Sequence, residues 1–474
     1  MTDCASPVPT PATSVRQRIL HGLGANAFGQ LVTVIVQLAG VPVLLYAWGA
    51  QLYGEWLILF AIPAYLSMTD LGFTQSACNE MTARVARGDC AGAVAVFQSI
   101  GVLVYVIGVL GLLFTTAVVP WLPLADWLNF QAMDAGTAQW VLWLLAAQVL
   151  VTLPDGVTHA GFRAAGEYAL HFCLHSIVRL LQFVGICITA LAGGGPLAAA
   201  AVFLGVRALA TAAFALLVVR RHRWLRHGTA HARRTELRRL LNPAMANMAI
   251  PLAQALNIQG MVLVVGALLG PLAVVVFSTL RTLTRLAMQM VMIVAKATEP
   301  ELAAAHGTGN RYLLRRLFMH ALRGGLWLAL LAAGGLALFG GRVLELWTNG
   351  RVAMDAALFG WLLASAVASV LWFAALTVLK AANCHLRAAS VYVLASAAAV
   401  GLAAALISST DSLVSAGLAL LVMDASMALY TLAAAAMLLS ERPWSLLLRA
   451  LDPRPVSALA RSRFSLRRRH QQSS

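Results

Sequence analysis

At 474 residues, with 60% hydrophobic and only 11% charged residues, the chain carries too little charge to cover a soluble protein of this size. The net charge of +16 does not mark a nucleic-acid binder, because the basic residues cluster at the ends of apolar runs rather than on a polar domain. Those runs reach roughly 20 residues or more, the length of a membrane-spanning helix, and they are continuous rather than alternating, which excludes a β-barrel.

Twelve spans are predicted in chain order, near 22–46, 53–79, 92–118, 138–160, 169–192, 196–219, 244–268, 271–296, 314–340, 356–380, 388–408 and 412–438. The fold class is therefore all-α and polytopic. The basic residues sort by side: 28 of the 34 fall in loops and termini on one side, and only Arg342 and Arg351 on the other. By the positive-inside rule both termini are expected in the cytoplasm. Residues 1–15 are rich in Pro, Ser and Thr and lack a basic stretch, so the first span is expected to remain in the membrane. The predicted organisation is a cytoplasmic tail (1–21), a six-helix bundle (22–219), a basic linker (220–242), a second six-helix bundle (243–438) and a basic tail (439–474). The linker and the tail, with Trp444 and Leu446–Leu448 among its arginines, are expected to lie on the inner leaflet.

An internal repeat supports two bundles. Shifted by 221 residues, Ala25-Asn26 falls on Ala246-Asn247, Gly49 on Gly270, Glu80 on Glu301 and Gly88 on Gly309. A second echo needs a shift of 217, which carries Arg163-Ala-Ala onto Lys380-Ala-Ala. Parallel repeats of this kind recur in transporters, with substrate handled between the halves.

The run GANAFGQLVTVIVQLAGVPVLL, the following YGEWLILFAIPAYLSMTDLGFTQSACNEMTARVARGD, and GFRAAGEYAL at 161–170 resemble polysaccharide-export flippases of the Wzx type. These belong to the multidrug/oligosaccharidyl-lipid/polysaccharide (MOP) exporter superfamily. The resemblance is carried mainly by the N-terminal half. It implies a bacterial inner-membrane protein that moves an undecaprenyl-diphosphate-linked oligosaccharide, such as an O-antigen or exopolysaccharide repeat unit, to the periplasmic leaflet. It also implies membrane lipids and polysaccharide polymerase or export machinery as partners, and no nucleic acid.

Polar residues inside the spans mark the candidate site. An arginine at mid-membrane costs about 2.5–3.5 kcal/mol on insertion scales, so Arg179, Arg207 and Arg281 are expected to face the protein interior or an aqueous cavity. His171, His175 and Arg179 share one face of span five at i, i+4, i+8, and Arg281, Arg285 and Gln289 form a stripe on span eight. Asn26, Gln30, Thr33 and Gln37 line span one; Asn247, Gln254 and Asn257 line span seven. A cationic central cavity built from these residues suits a diphosphate, since guanidinium forks match phosphate oxygens. The alternative reading is that the arginines pair with the interior acids Asp70, Asp155 or Asp424. Asp70 either pairs with an arginine at an inner gate or caps a helix break near Gly72. Glu80 closes that stretch at the wet end, and Asp424 is a candidate coupling-ion site.

The chain holds no G-K-[ST], G-x-S-x-G, H-E-x-x-H or C-x-x-C, so an ATPase loop, covalent catalysis, a metal site and a cofactor are not expected. Two other readings compete: a MATE-type multidrug or cation antiporter, which would want acids in the cavity, and a membrane glycosyltransferase or polymerase, which usually needs a large outer loop.

Overall fold

The computed structural model describes residues 15–68 and 72–452. Asp70, the start of the N-terminal tail and the basic tail beyond Asp452 lie outside the described residues. All secondary structure within them is helical. In chain order the helices are α1 (Val15–Ala61), α2 (Phe73–Ala86), α3 (Cys90–Val118), α4 (Leu124–Trp127), α5 (Ala135–Ala164), α6 (Tyr168–Leu191), α7 (Pro196–Arg221), α8 (Arg234–Ala255), α9 (Met261–Ala297), α10 (Glu299–Gly307), α11 (Arg311–Thr348), α12 (Ala356–Ala381), α13 (Leu386–Thr410), α14 (Val414–Leu439) and α15 (Pro443–Leu451).

Ten stretches among the described residues are long and apolar enough to cross a membrane. Two of them, Leu20–Ser67 and Asn247–Gln289, run 48 and 43 residues. Straight helices of those lengths would measure about 72 Å and about 65 Å, against a hydrocarbon core of roughly 30 Å. Each is broken once by a glycine in a conformation that L-residues avoid: Gly49 at φ 75°, ψ 173°, and Gly270 at φ 81°, ψ 178°. Counted as two crossings each, they bring the total to the predicted twelve.

The predicted second span is not one helix. α1 ends at Ala61, a 3₁₀ turn occupies Pro63–Met68, and α2 starts after Gly72. Hydropathy is blind to this interruption, because the broken backbone keeps apolar side chains. Gly72 has φ 74° and lies against α8, where a Cβ would run into the Ala244 carbonyl oxygen. Only glycine fits both demands.

The repeat is written in the backbone. Left-handed positions recur at Gly49 and Gly270, Gly88 and Gly309, Asn129 and Asn349, Gly166 and Asn383, and Gly193 and Asp411. Asp134 caps α5 by accepting from the Thr137 amide, and Asp355, 221 residues later, caps α12 by accepting from Leu358. α5 has 30 residues and α12 has 26. The difference of four residues is close to one helical turn, and it accounts for the change of offset from 221 to 217.

By packing, the chain divides into two compact units: one through Val276 together with Trp347–Val352, the other Phe277–Leu346 with the chain from Ala353 onward. The first unit buries Phe73, Phe97, Ile100, Phe162, Val218, Leu225 and Leu240 in one core. The basic segment after α7 belongs to this unit: Gln98 donates to the Arg226 carbonyl and accepts from the His231 amide, while Ser99 accepts from the Arg233 amide. The second unit is centred on Phe318, Leu322, Val378, Leu432 and Leu446. There α14 presents Ala416, Gly417, Ala419, Ala428 and Ala435 as buried small residues, which lets α12 and α14 approach closely.

Candidate functional site

In the first unit, α5, α6 and α7 enclose a cavity of about 510 Å³ lined by polar groups that include Thr74, Gln148, Thr152, Asp155, His159, His171, His175 and Arg207. Arg207, buried on α7, places Nη2 2.6 Å from Asp155 Oδ2 on α5 and donates from Nε to Thr152 Oγ1 at 2.9 Å. Burial explains the pairing, because an isolated charge there would cost several kcal/mol. His171 and His159 meet through their Nδ1 atoms at 3.0 Å, and the His175 ring lies 6.3 Å from that of His171. Pro154 sits inside α5 immediately before Asp155, so the backbone loses one amide donor beside the site.

Arg179 behaves differently from Arg207. Its side chain is exposed, Nη1 donates to Thr33 Oγ1 on α1 at 2.9 Å, and it meets no carboxylate among the described residues. Below it, Tyr168 donates its hydroxyl to Asn26 Oδ1 at 3.1 Å. The predicted polar stripes of spans one and five therefore meet, since α1 and α6 pack side by side. Gln37 lies on the same helix, partly exposed and already partnered.

The span-seven residues separate. Asn247 donates to Ser76 Oγ on α2 at 3.1 Å, and Gln254 is exposed. Asn257 is buried in a π-helical turn over Leu256–Gly260. Glu80 belongs to a charged cluster at the end of α2. There Arg84 Nε lies 2.8 Å from Glu80 Oε1, and Arg84 Nη2 lies 2.7 Å from Glu236 Oε2 on α8.

The second unit repeats the theme with the charges redistributed. Asp424, buried on α14, accepts from Ser365 Oγ at 2.5 Å and from Trp372 Nε1 at 2.9 Å, both on α12. The Tyr392 ring lies tilted at 46° to that of Trp372 with centroids 4.9 Å apart, and Arg281 lies within electrostatic reach of Asp424 and Tyr392. Arg281 also sits over the Phe277 ring at 5.5 Å. Arg285, one turn on, is exposed and meets no carboxylate among the described residues.

Sequence reasoning named Asp155 only as an alternative partner for the arginines and Asp424 as a candidate coupling-ion site, and it missed Thr152 beside Arg207 and Ser365 and Trp372 beside Asp424. It also missed Glu55. This side chain is fully closed to solvent and accepts amide hydrogens from Gln131, Ala132 and Met133 at 2.7, 2.8 and 2.8 Å. Its place as the lone acid between two apolar runs was the available signal.

No family model and no curated protein matches the chain in sequence. Solved structures do. An inward-facing multidrug resistance MATE family transporter of the MOP superfamily aligns with TM-score 0.72 at 16% identity, over 87% of this chain and 98% of its own. An outward-facing MATE family transporter aligns at 0.59 and 18%, over 92% and 98%. A MOP superfamily transporter from Pyrococcus furiosus Vc1 (DSM3638), noted for a binding pocket of reverse polarity that suggests a different function, aligns at 0.59 and 16%, over 90% and 96%. This chain has the MATE fold. The all-α, twelve-helix reading of the sequence agrees with that fold, and the chain is a multi-pass membrane protein. At these identities the MATE likeness extends to architecture alone.

Proposed function

We propose that this protein is a flippase that carries an undecaprenyl-diphosphate-linked oligosaccharide across the bilayer by alternating access. The observation that carries this reading is the state of the intramembrane charges. Of the three interior acids, the two among the described residues are answered, Asp155 by Arg207 and Asp424 by Ser365 and Trp372. Arg179 and Arg285, one in each unit, meet no carboxylate among the described residues. A guanidinium held in a spanning helix without an acid is costly, and a phosphate ligand offsets that cost through paired N–H donors. The Wzx-like motifs of the N-terminal half supply the oligosaccharide-lipid as the anion. The superfamily precedent for a pocket of reverse polarity with a different function is compatible with a cationic variant of the fold.

A MATE-type cation antiporter is the second reading, favoured by the multidrug transporters among the structural neighbours. Proteoliposomes separate the two. The flippase reading expects translocation of an undecaprenyl-diphosphate-linked saccharide, abolished by Arg179→Ala or Arg285→Ala and partly kept by Lys at either position. Ion-driven movement of a cationic dye, with no lipid translocation, would replace it with the antiporter.

A further inference from the structure

The second unit also holds a cleft that none of these intramembrane residues lines. Its volume is about 390 Å³, and it is lined by Tyr312, Arg315, Arg316, Met319, Arg323 and Arg449. Tyr312, Arg316, Met319 and Arg323 follow one another at i, i+4, i+7 and i+11, so they form one stripe along the start of α11. Arg449 comes from α15, the nine-residue helix after α14.

The charges in the cleft do not cancel. Glu441 takes Arg315 at 2.6 Å and Arg449 at 3.3 Å. Arg323 spends Nε and Nη2 on the main-chain oxygen of Arg449, at 2.9 and 2.5 Å, which fastens α15 to α11 without neutralising a charge. Arg316 meets no carboxylate among the described residues. Four guanidiniums line the cleft, and Glu441 meets two of them.

α15 also has two apolar faces. Leu446 and Ala450 are buried in the core of the unit. Trp444, Leu448 and Leu451, at i, i+4 and i+7, stay largely exposed on another face. A helix with one face docked, a second apolar face open and arginine between them suits the boundary between headgroups and acyl chains. Its depth agrees. α11 runs 38 residues, about 57 Å, well beyond a hydrocarbon core of roughly 30 Å. Its arginine-bearing first turns therefore reach the headgroup level.

We infer that the cleft between α11 and α15 binds the phosphate of an anionic phospholipid, with Trp444, Leu448 and Leu451 lying along its acyl chains. The site does not depend on the flippase reading. Phosphatidylglycerol titrated into the purified full-length protein in micelles, with bound lipid counted by native mass spectrometry, tests it. Saturable binding is expected, and phosphatidylcholine should not compete. The Arg316→Gln variant should bind about fivefold more weakly, and Arg316→Lys should stay close to wild type. Unchanged affinity in Arg316→Gln, or equal binding of phosphatidylcholine, would overturn the proposal. So would displacement of the lipid by millimolar inorganic phosphate together with unchanged binding to Trp444→Ala, since both would mark a site for free phosphate.

Discussion

Arg207 Nη2 stands 2.6 Å from Asp155 Oδ2, with the two side chains only 3% and 4% exposed. Removing either partner strands the other in a low-dielectric setting, at a cost of about 3–5 kcal/mol. Arg207→Ala and Asp155→Ala are each expected to lower the melting temperature of the purified protein and its level in the membrane. The double variant Arg207→Met/Asp155→Leu should recover most of that loss, because a buried pair replaced as a whole by apolar groups is near neutral. A double variant no better than the worse single one would show that the two charges are not each other's main partners.

Glu55 ties three successive amides of the 131–133 loop to α1. Glu55→Gln keeps the size but loses the charge, and turns one acceptor oxygen into a donor facing an amide. The expected cost is about 1–3 kcal/mol, with faster hydrogen exchange confined to Gln131, Ala132 and Met133. Uniform acceleration across α1 would mean the carboxylate supports the helix rather than the loop.

Gly49 and Gly270 have open space where a Cβ would stand, so alanine there tests backbone strain alone. Each substitution should cost about 1–3 kcal/mol, and the two costs should resemble each other because the two conformations do. Thermal melts of Gly49→Ala and Gly270→Ala decide this. Gly88→Asn is the control, since asparagine tolerates the left-handed region.

Asp134 caps α5 through the Thr137 hydroxyl and amide, and these hydrogen bonds hold its carboxyl below its ordinary value of 3.8. A depressed folded-state value means the cap contributes fully above the unfolded value and is lost as pH falls through the folded one. The cap should therefore be silent between pH 7 and 5 and fade below about pH 4. Asp134→Asn should remove that acid-side dependence while leaving the neutral melting temperature nearly unchanged.

The number of crossings was legible in the sequence because hydropathy reports it directly. The repeat was legible at Gly49 and Gly270 because few other residues accept that backbone, so the spacing survives drift elsewhere. The interruption between Ala61 and Phe73 was not, since Tyr65 and Leu66 are as apolar in a 3₁₀ turn as in a helix. At the site, periodicity put His175 and Arg179 one turn apart on α6, yet His175 lines the cavity while Arg179 reaches Thr33 on α1. It could not choose the partner of Arg207, because Asp155 lies 52 positions away and only the packing of α5 on α7 selects it. The donors to Asp424 were hidden for the same reason: Ser365 and Trp372 read as ordinary residues of an apolar helix.

The backbone correspondence between the copies reaches these buried groups. Asp155 and Trp372 each stand nine residues before the end of their helices, α5 and α12. Arg207 and Asp424 fall within one residue of the same place in α7 and α14, both 26 residues long. A symmetric dimer of half-length chains must carry the same side chain at that place in both subunits. A tandem polypeptide is released from that symmetry. Here it sets a guanidinium in one copy and a carboxylate in the other, an opposition of sign that no dimer of identical halves could hold.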